Sequence, residues 1–170
     1  MKKESSRVAI YDSQVGLETA VRELRSQSFE MEQLSILNID ALPEANKGPG
    51  YTFGDRLGYW TQRRDHWSGL IGNASGSGLF GIPGLGTLMI VGPATTAVAR
   101  VLEEAPGHEG LRAVGVALHD LGVEEGSISE SESALQARKF LLLVSGSEQQ
   151  LSRSPVSDIL RRREATPEPV

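Results

Sequence analysis

The chain has 170 residues, 39% hydrophobic and 23% charged, a balance that suits one folded globular domain. Its 17 Lys and Arg against 22 Asp and Glu give a formal charge of −5, which excludes a general grip on nucleic-acid phosphates. With no cysteine, disulfides, zinc–thiolate centres and thiol nucleophiles are excluded too, as suits a reducing compartment. The opening MKKESSRVAIYDS carries two lysines but no apolar stretch of signal-peptide length, so the expected location is the cytoplasm.

Arg7 to Tyr11 is a short apolar run ending in Asp12-Ser13, which reads as a strand followed by a helix N-cap. Leu17, Ala20, Val21, Leu24 and Phe29 then recur at helical spacing and predict one buried stripe. Leu34 to Ile39 predicts a second strand, parallel to the first if both share a sheet. Residues 40–66 read as loops and turns punctuated by Pro43, Gly48, Pro49, Gly50, Gly54 and Gly58. Tyr51, Phe53, Tyr59 and Trp60, with Trp67 just beyond, concentrate most of the chain's aromatic surface. After Pro106-Gly107, Leu111, Val114, Ala117, Leu118 and Leu121 mark another helix, with Gly122 at a left-handed C-cap and Val123 packing behind it. Glu130 to Ala137 reads as a short helix. Phe140 to Val144 is apolar at every position, as expected of a central strand covered on both faces. Ser147 to Gln150 fits a capping box, and Ser154-Pro155 a second helix start.

The stretch 68–99, SGLIGNASGSGLFGIPGLGTLMIVGPATTAVA, contains no charged residue. The G-x-x-x-G spacing of Gly72 and Gly76, with Gly69 three residues earlier, suggests a flat helix face made for close backbone approach. Gly81-Ile82-Pro83-Gly84 would break it, giving two helices, Trp67 to Phe80 and Leu85 to Leu102. Each helical glycine costs about 1 kcal/mol against alanine, so such a hairpin needs close packing against a second copy of itself. The rival is lipid, with Arg63, Arg64 and Arg100 at headgroups and Trp60 and Trp67 at the interface; neither half supplies about 20 apolar residues for a full span. The candidate contact residues are Trp67, Gly69, Gly72, Gly76, Leu79, Phe80, Gly81, Gly84, Leu88, Ile90, Val91 and Gly92. Gly76 to Gly81 also matches G-x-G-x-x-G, but no strand-like run precedes it and Val101 stands where the ribose acid belongs, so dinucleotide binding is set aside.

No catalytic, cofactor or metal constellation stands out. His66, His108 and His119 share no ligand spacing. Arg63-Arg64-Asp65-His66 is read as a solvated helix start ahead of a phosphate or headgroup site. Ser127, Ser129, Ser131 and Ser133 alternate with acids and read as polar linker or capping residues before kinase targets. No Ser-His-Asp arrangement has a nucleophile elbow, so an enzyme is not expected.

Three segments carry a resemblance: residues 8–38, VAIYDSQVGLETAVRELRSQSFEMEQLSILN; residues 78–99, GLFGIPGLGTLMIVGPATTAVA; and residues 118–147, LHDLGVEEGSISESESALQARKFLLLVSGS. In this order, over about half the chain, they resemble bacterial general stress proteins of the heat-induced type, with the glycine-rich segment of their membrane-assigned relatives. Asn73, Ser75 and Ser77 depart from that pattern, where more hydrophobic residues would stand. The resemblance implies a stress-associated role and no catalytic residues.

The expected fold is α+β, a ferredoxin-like sandwich with an inserted glycine-rich helical hairpin. Residues 1–40 and 108–163 would form its two halves, 41–66 a connector, 67–104 the hairpin and 164–170 a disordered tail. The third strand of such a sandwich is not evident; either it lies in 44–60, or a partner chain covers an incomplete sheet edge. The expected function is non-enzymatic self-association through the hairpin, as a homo-oligomer with membrane lipid the rival surface at the inner membrane, without nucleic acid or cofactor. The alternative is a regulatory module that binds a small ligand, an analogy from fold alone.

Overall fold

A computed structural model describes residues 5–27, 29–40, 53–71, 76–82, 86–104, 111–147, 149 and 151. Local signals set the first elements. β1 (Ser5–Tyr11) ends at Asp12, and the Ser13 hydroxyl accepts the Gly16 N–H at 3.1 Å, capping α1 (Gln14–Ser26). That cap satisfies one of the donors every helix start leaves open. α1 buries Leu17, Ala20, Val21 and Leu24, the stripe its spacing predicts. A single 3-10 turn (Met31–Gln33) leads into β2 (Leu34–Asp40). There follow α2 (Phe53–Ile71), β3 (Ser77–Ile82), β4 (Gly86–Val91), α3 (Ala94–Glu104), α4 (Leu111–Asp120), α5 (Glu125–Gln136) and β5 (Phe140–Gly146).

The class is mixed α+β. The five strands form one sheet in the order β1-β5-β2-β4-β3, with every neighbouring pair antiparallel. β1 and β2 are therefore parallel with β5 between them, and β4 and β5 are parallel with β2 between them. β5 sits inside the sheet, which is why Leu141 to Val144 are all buried.

Side chains alternate across the sheet with a period of two. Leu34, Ile36, Met89, Val91, Leu142 and Val144 face one core, roofed by α1 and the end of α2. Leu37, Ile39, Leu88, Ile90, Leu141 and Leu143 face the other, roofed by α3, α4 and α5. Each fully buried aliphatic side chain contributes about 1.5–3 kcal/mol of transfer free energy. Helices thus cover both faces, whereas a ferredoxin-like sandwich carries its helices on one.

The glycine-rich run departs most from expectation. Its ends belong to α2 and α3, but its middle is two strands, not a helical hairpin, and β4 pairs with β2 inside the sheet. Thr87-Leu88-Met89-Ile90-Val91 is a run that suits a strand buried on both faces, and Gly78 and Gly81 sit in the edge strand β3 instead of a helix. Two further strands therefore lie in this run, while 53–66, expected as loops, belong to α2; residues 44–52 lie outside the described residues. The C-cap at Gly122 does form: its φ is +95°, and Val123 N–H donates to the Leu118 carbonyl at 3.0 Å. Leu151 N–H donates to the Ser147 carbonyl at 3.1 Å, a helical turn where the capping box was expected; Gln150 of that box, the Ser154-Pro155 start and the tail 164–170 lie outside the described residues.

Asn38 is the polar side chain that pins the sheet's end. It is 4% exposed, and its Nδ2 donates to the carbonyls of Arg138 at 3.3 Å and Lys139 at 3.1 Å. Arg138 has a φ of +63°, so these bonds hold the unusual turn that feeds β5. Asn38→Leu is expected to lower unfolding free energy by about 1–2 kcal/mol in urea titrations, since it removes both bonds to part-buried carbonyls.

Candidate functional site

β3 reads Ser-Gly-Leu-Phe-Gly-Ile, without charge or proline. It is a sheet edge, with β4 on one side and no strand on the other among the described residues. The ladder shows which way its backbone points. Gly92 N–H donates to the Gly76 carbonyl at 2.8 Å, so the 76–92 position is a hydrogen-bonded pair. In an antiparallel ladder such pairs alternate, and the register pairs Ser77 with Val91 and Ile82 with Gly86. Gly78, Phe80 and Ile82 therefore bond inward to β4, while Ser77, Leu79 and Gly81 turn their N–H and C=O groups outward. No partner meets those outward groups among the described residues. Ser77 and Gly81 are exposed, Gly78, Leu79 and Phe80 half-buried.

The glycines differ in what holds them. A Cβ at Gly92 would lie 2.4 Å from the Leu34 carbonyl oxygen and 2.7 Å from Ser35 Cα, at a φ of +116°. Gly92 is thus fixed by close approach to β2, beside the Ser35 hydroxyl that accepts the Ala94 N–H at 2.9 Å and caps α3. At Gly78 a Cβ would meet the Phe80 ring at 3.0 Å and Thr95 Cγ2 at 3.2 Å; the ring of Phe80 lies over the glycine of its own strand. Gly81 and Gly69 would meet nothing within 4 Å, so the interior gives no reason for glycine there.

Of the other expected contact residues, Gly76 flanks β3 and its carbonyl takes the Gly92 N–H. Trp67, Leu88, Ile90 and Val91 are fully buried by their own chain, a correction to their expected role: two interior strand faces and a helix end use them up. Trp67 meets Phe140 edge-on at 6.4 Å, with Arg63 5.2 Å from its ring centroid. Gly72 and Gly84 lie outside the described residues. Ser77 and Gly78 were missed as site residues; the signal was the alternation of small and apolar side chains along SGLFGI.

The polar candidates scatter. Within Arg63-Arg64-Asp65-His66, Arg64 reaches Asp65 at 3.3 Å, while His66 shares a 2.6 Å hydrogen bond with Glu18 of α1. His119 lies 3.9 Å from Asp120, and His108 is outside the described residues. Ser131 is buried, donating to the Ser127 carbonyl at 2.7 Å. Ser129 and Ser133 border a cleft of about 380 Å³ between α5 and β1, with Ile10, Ala137 and Lys139 on its other walls. Among the described residues no group of His, Asp and Glu could hold a metal ion, and no helix is long and apolar enough to cross a membrane.

Glu18 ties α2 to α1. The Gln14 amide donates to its carboxylate at 2.9 Å, and with His66 holds the carboxyl below its ordinary range. A depressed folded-state pKa stabilises the fold above the ordinary carboxylate range and is lost as pH falls through the depressed value. The urea midpoint is therefore expected to drop between about pH 5 and pH 3, and Glu18→Gln to flatten that slope.

No protein-family model, curated protein or solved structure matches the chain.

Proposed function

We propose that the protein is a non-enzymatic self-associating module whose copies join along the glycine-rich edge strand β3. One observation carries this reading: an uncharged strand with outward donors and acceptors at Ser77, Leu79 and Gly81, unpartnered among the described residues. Proteins normally blunt such an edge with lysine, proline or a covering segment, because it templates pairing with another chain. The proposed setting, a bacterial stress response in the cytoplasm at the inner membrane face, rests on sequence resemblance alone. The ferredoxin-like likeness rests on β1-α1-β2 straddling β5, and on β4 and β5 straddling β2.

Light scattering on a size-exclusion column, across a dilution series, tests the module. The expected mass at high concentration is a multiple of the 18.3 kDa chain, falling toward it on dilution. A single-chain mass at every concentration would refute the reading. Pelleting with vesicles, released by detergent but not carbonate, would put lipid on the strand instead.

A second reading, a small-ligand regulatory module, places the ligand in the open cleft beside α5, lined by Ser129, Ser133 and Lys139. A raised melting temperature in a metabolite screen, lost in Ser133→Trp, would support it.

A further inference from the structure

The backbone of β3 is complementary to itself. Its outward groups sit at residues 77, 79 and 81, evenly placed about Leu79. We propose that two copies join β3 to β3, antiparallel, about a two-fold axis through Leu79, so that the two five-stranded sheets become one. The proposal rests on the self-association reading above and adds the partner's register.

In this arrangement Leu79 forms a hydrogen-bonded pair with Leu79 of the second copy, and Ser77 with Gly81, on both sides of the axis. Every outward N–H and C=O of those three residues is then satisfied. On the opposite sheet face Gly78 of each copy comes beside Phe80 of the other. Phe80 already lies over Gly78 of its own strand, 3.0 Å from where a Cβ would be, so two rings cover two glycines across the joint, the aromatic cover that edge glycines favour. Gly81 meets Ser77, a small pair in open space where a Cβ would find nothing within 4 Å.

Charge points the same way. Each copy carries −5 overall, yet residues 68–99 carry none, so the strands can approach without opposing like charges. The joint is isologous and closes on itself, consuming the β3 edge and making a dimer in place of a fibre.

Cysteine scanning reads the register directly, because the chain has no cysteine of its own and each variant carries one thiol. In a hydrogen-bonded antiparallel pair the two residues at 79 have Cα atoms about 5.5 Å apart, within the roughly 4.4–6.8 Å a disulfide spans. Residue 77 of each copy would be on the order of 13 Å from its counterpart. Under mild oxidation Leu79→Cys is expected to give covalent dimer at least about tenfold faster than Ser77→Cys or Gly81→Cys alone. A mixture of Ser77→Cys and Gly81→Cys, neither of which alters a core residue, is expected to give the mixed dimer at a rate comparable to Leu79→Cys. Circular dichroism confirms that each variant is folded, and the mixed pair stands as the test should Leu79→Cys fail to fold. Light scattering that shows a dimer, with no preference for these pairs, would overturn the register and leave self-association standing. A monomer without cross-links would overturn both. Light scattering that shows species larger than a dimer growing with concentration would overturn the closed two-fold in favour of head-to-tail pairing.

Discussion

Gly92→Ala should abolish cooperative folding at 25 °C, or lower unfolding free energy by about 4 kcal/mol or more, a large part of a small domain's 5–15 kcal/mol. The added carbon has no room to give. Its closest neighbours are the Leu34 carbonyl at 2.4 Å and Ser35 Cα at 2.7 Å, both backbone, so relief means moving β2 away from the joint with β4 and α3. The φ of +116° adds strain that an L residue carries anywhere. Displacing Ser35 would also break the 2.9 Å bond that caps Ala94. Thermal melts followed by circular dichroism, with Gly69→Ala as control, check this. Gly69 is exposed near the end of α2 with open space around it, so alanine there should hold or raise stability by up to about 1 kcal/mol. A Gly92→Ala protein that melts within a few degrees of the parent would mean the turn is looser than described.

Gly81→Lys separates association from folding. A Cβ at Gly81 is unopposed, and an exposed lysine on an edge strand costs little in the lone subunit. In the joined sheet the same ammonium is pressed against the second copy. The dissociation constant is expected to rise at least about a hundredfold, equivalent to ~2.8 kcal/mol, with the melting temperature of the dilute monomer unchanged. Gly81→Val should act in the opposite direction, because a β-branched residue favours the strand by up to about 1 kcal/mol over glycine. Sedimentation velocity on both variants reads the change. Equal association by Gly81→Lys and the parent would remove β3 from the joint.

Much of the frame was legible because it rests on period and caps. Leu17, Ala20, Val21 and Leu24 announced α1, Ser13 its cap, Gly122 the end of α4, and the unbroken Phe140 to Val144 run the central place of β5. What failed was read from glycine spacing. Gly72 and Gly76 suggested a helix face, yet the β-forming run Thr87 to Val91 lay beside them and was the stronger signal. α2 was hidden for the opposite reason: Gly54 and Gly58 look like breakers, and among its described side chains only Trp67, Leu70 and Ile71, near its end, are buried, so little apolar stripe betrays it. For the site, Leu79 and Phe80 were named from the sequence as points on a helix, and Gly81 as part of the turn that breaks it. That Leu88, Ile90 and Val91 would be spent on the interior depends on β2 reaching β4 from far along the chain, which no local pattern encodes. Asn38 and Ser35 matter for the same non-local reason: each bonds backbone more than 50 residues away.

The strand that sits between β1 and β2 is the last to be made. Ser5 pairs with Gly146, and Leu34 with Val144, so the two earliest strands wait while nearly a hundred residues are translated. At about 5–20 residues per second the ribosome takes roughly 5–20 s over that interval. Throughout it the nascent chain carries two apolar strands with nothing in the gap they share. The sheet therefore cannot close until β5 has been made, and any stop codon before Phe140 leaves a product with a hole through its middle, fit for chaperones or proteases and not for assembly.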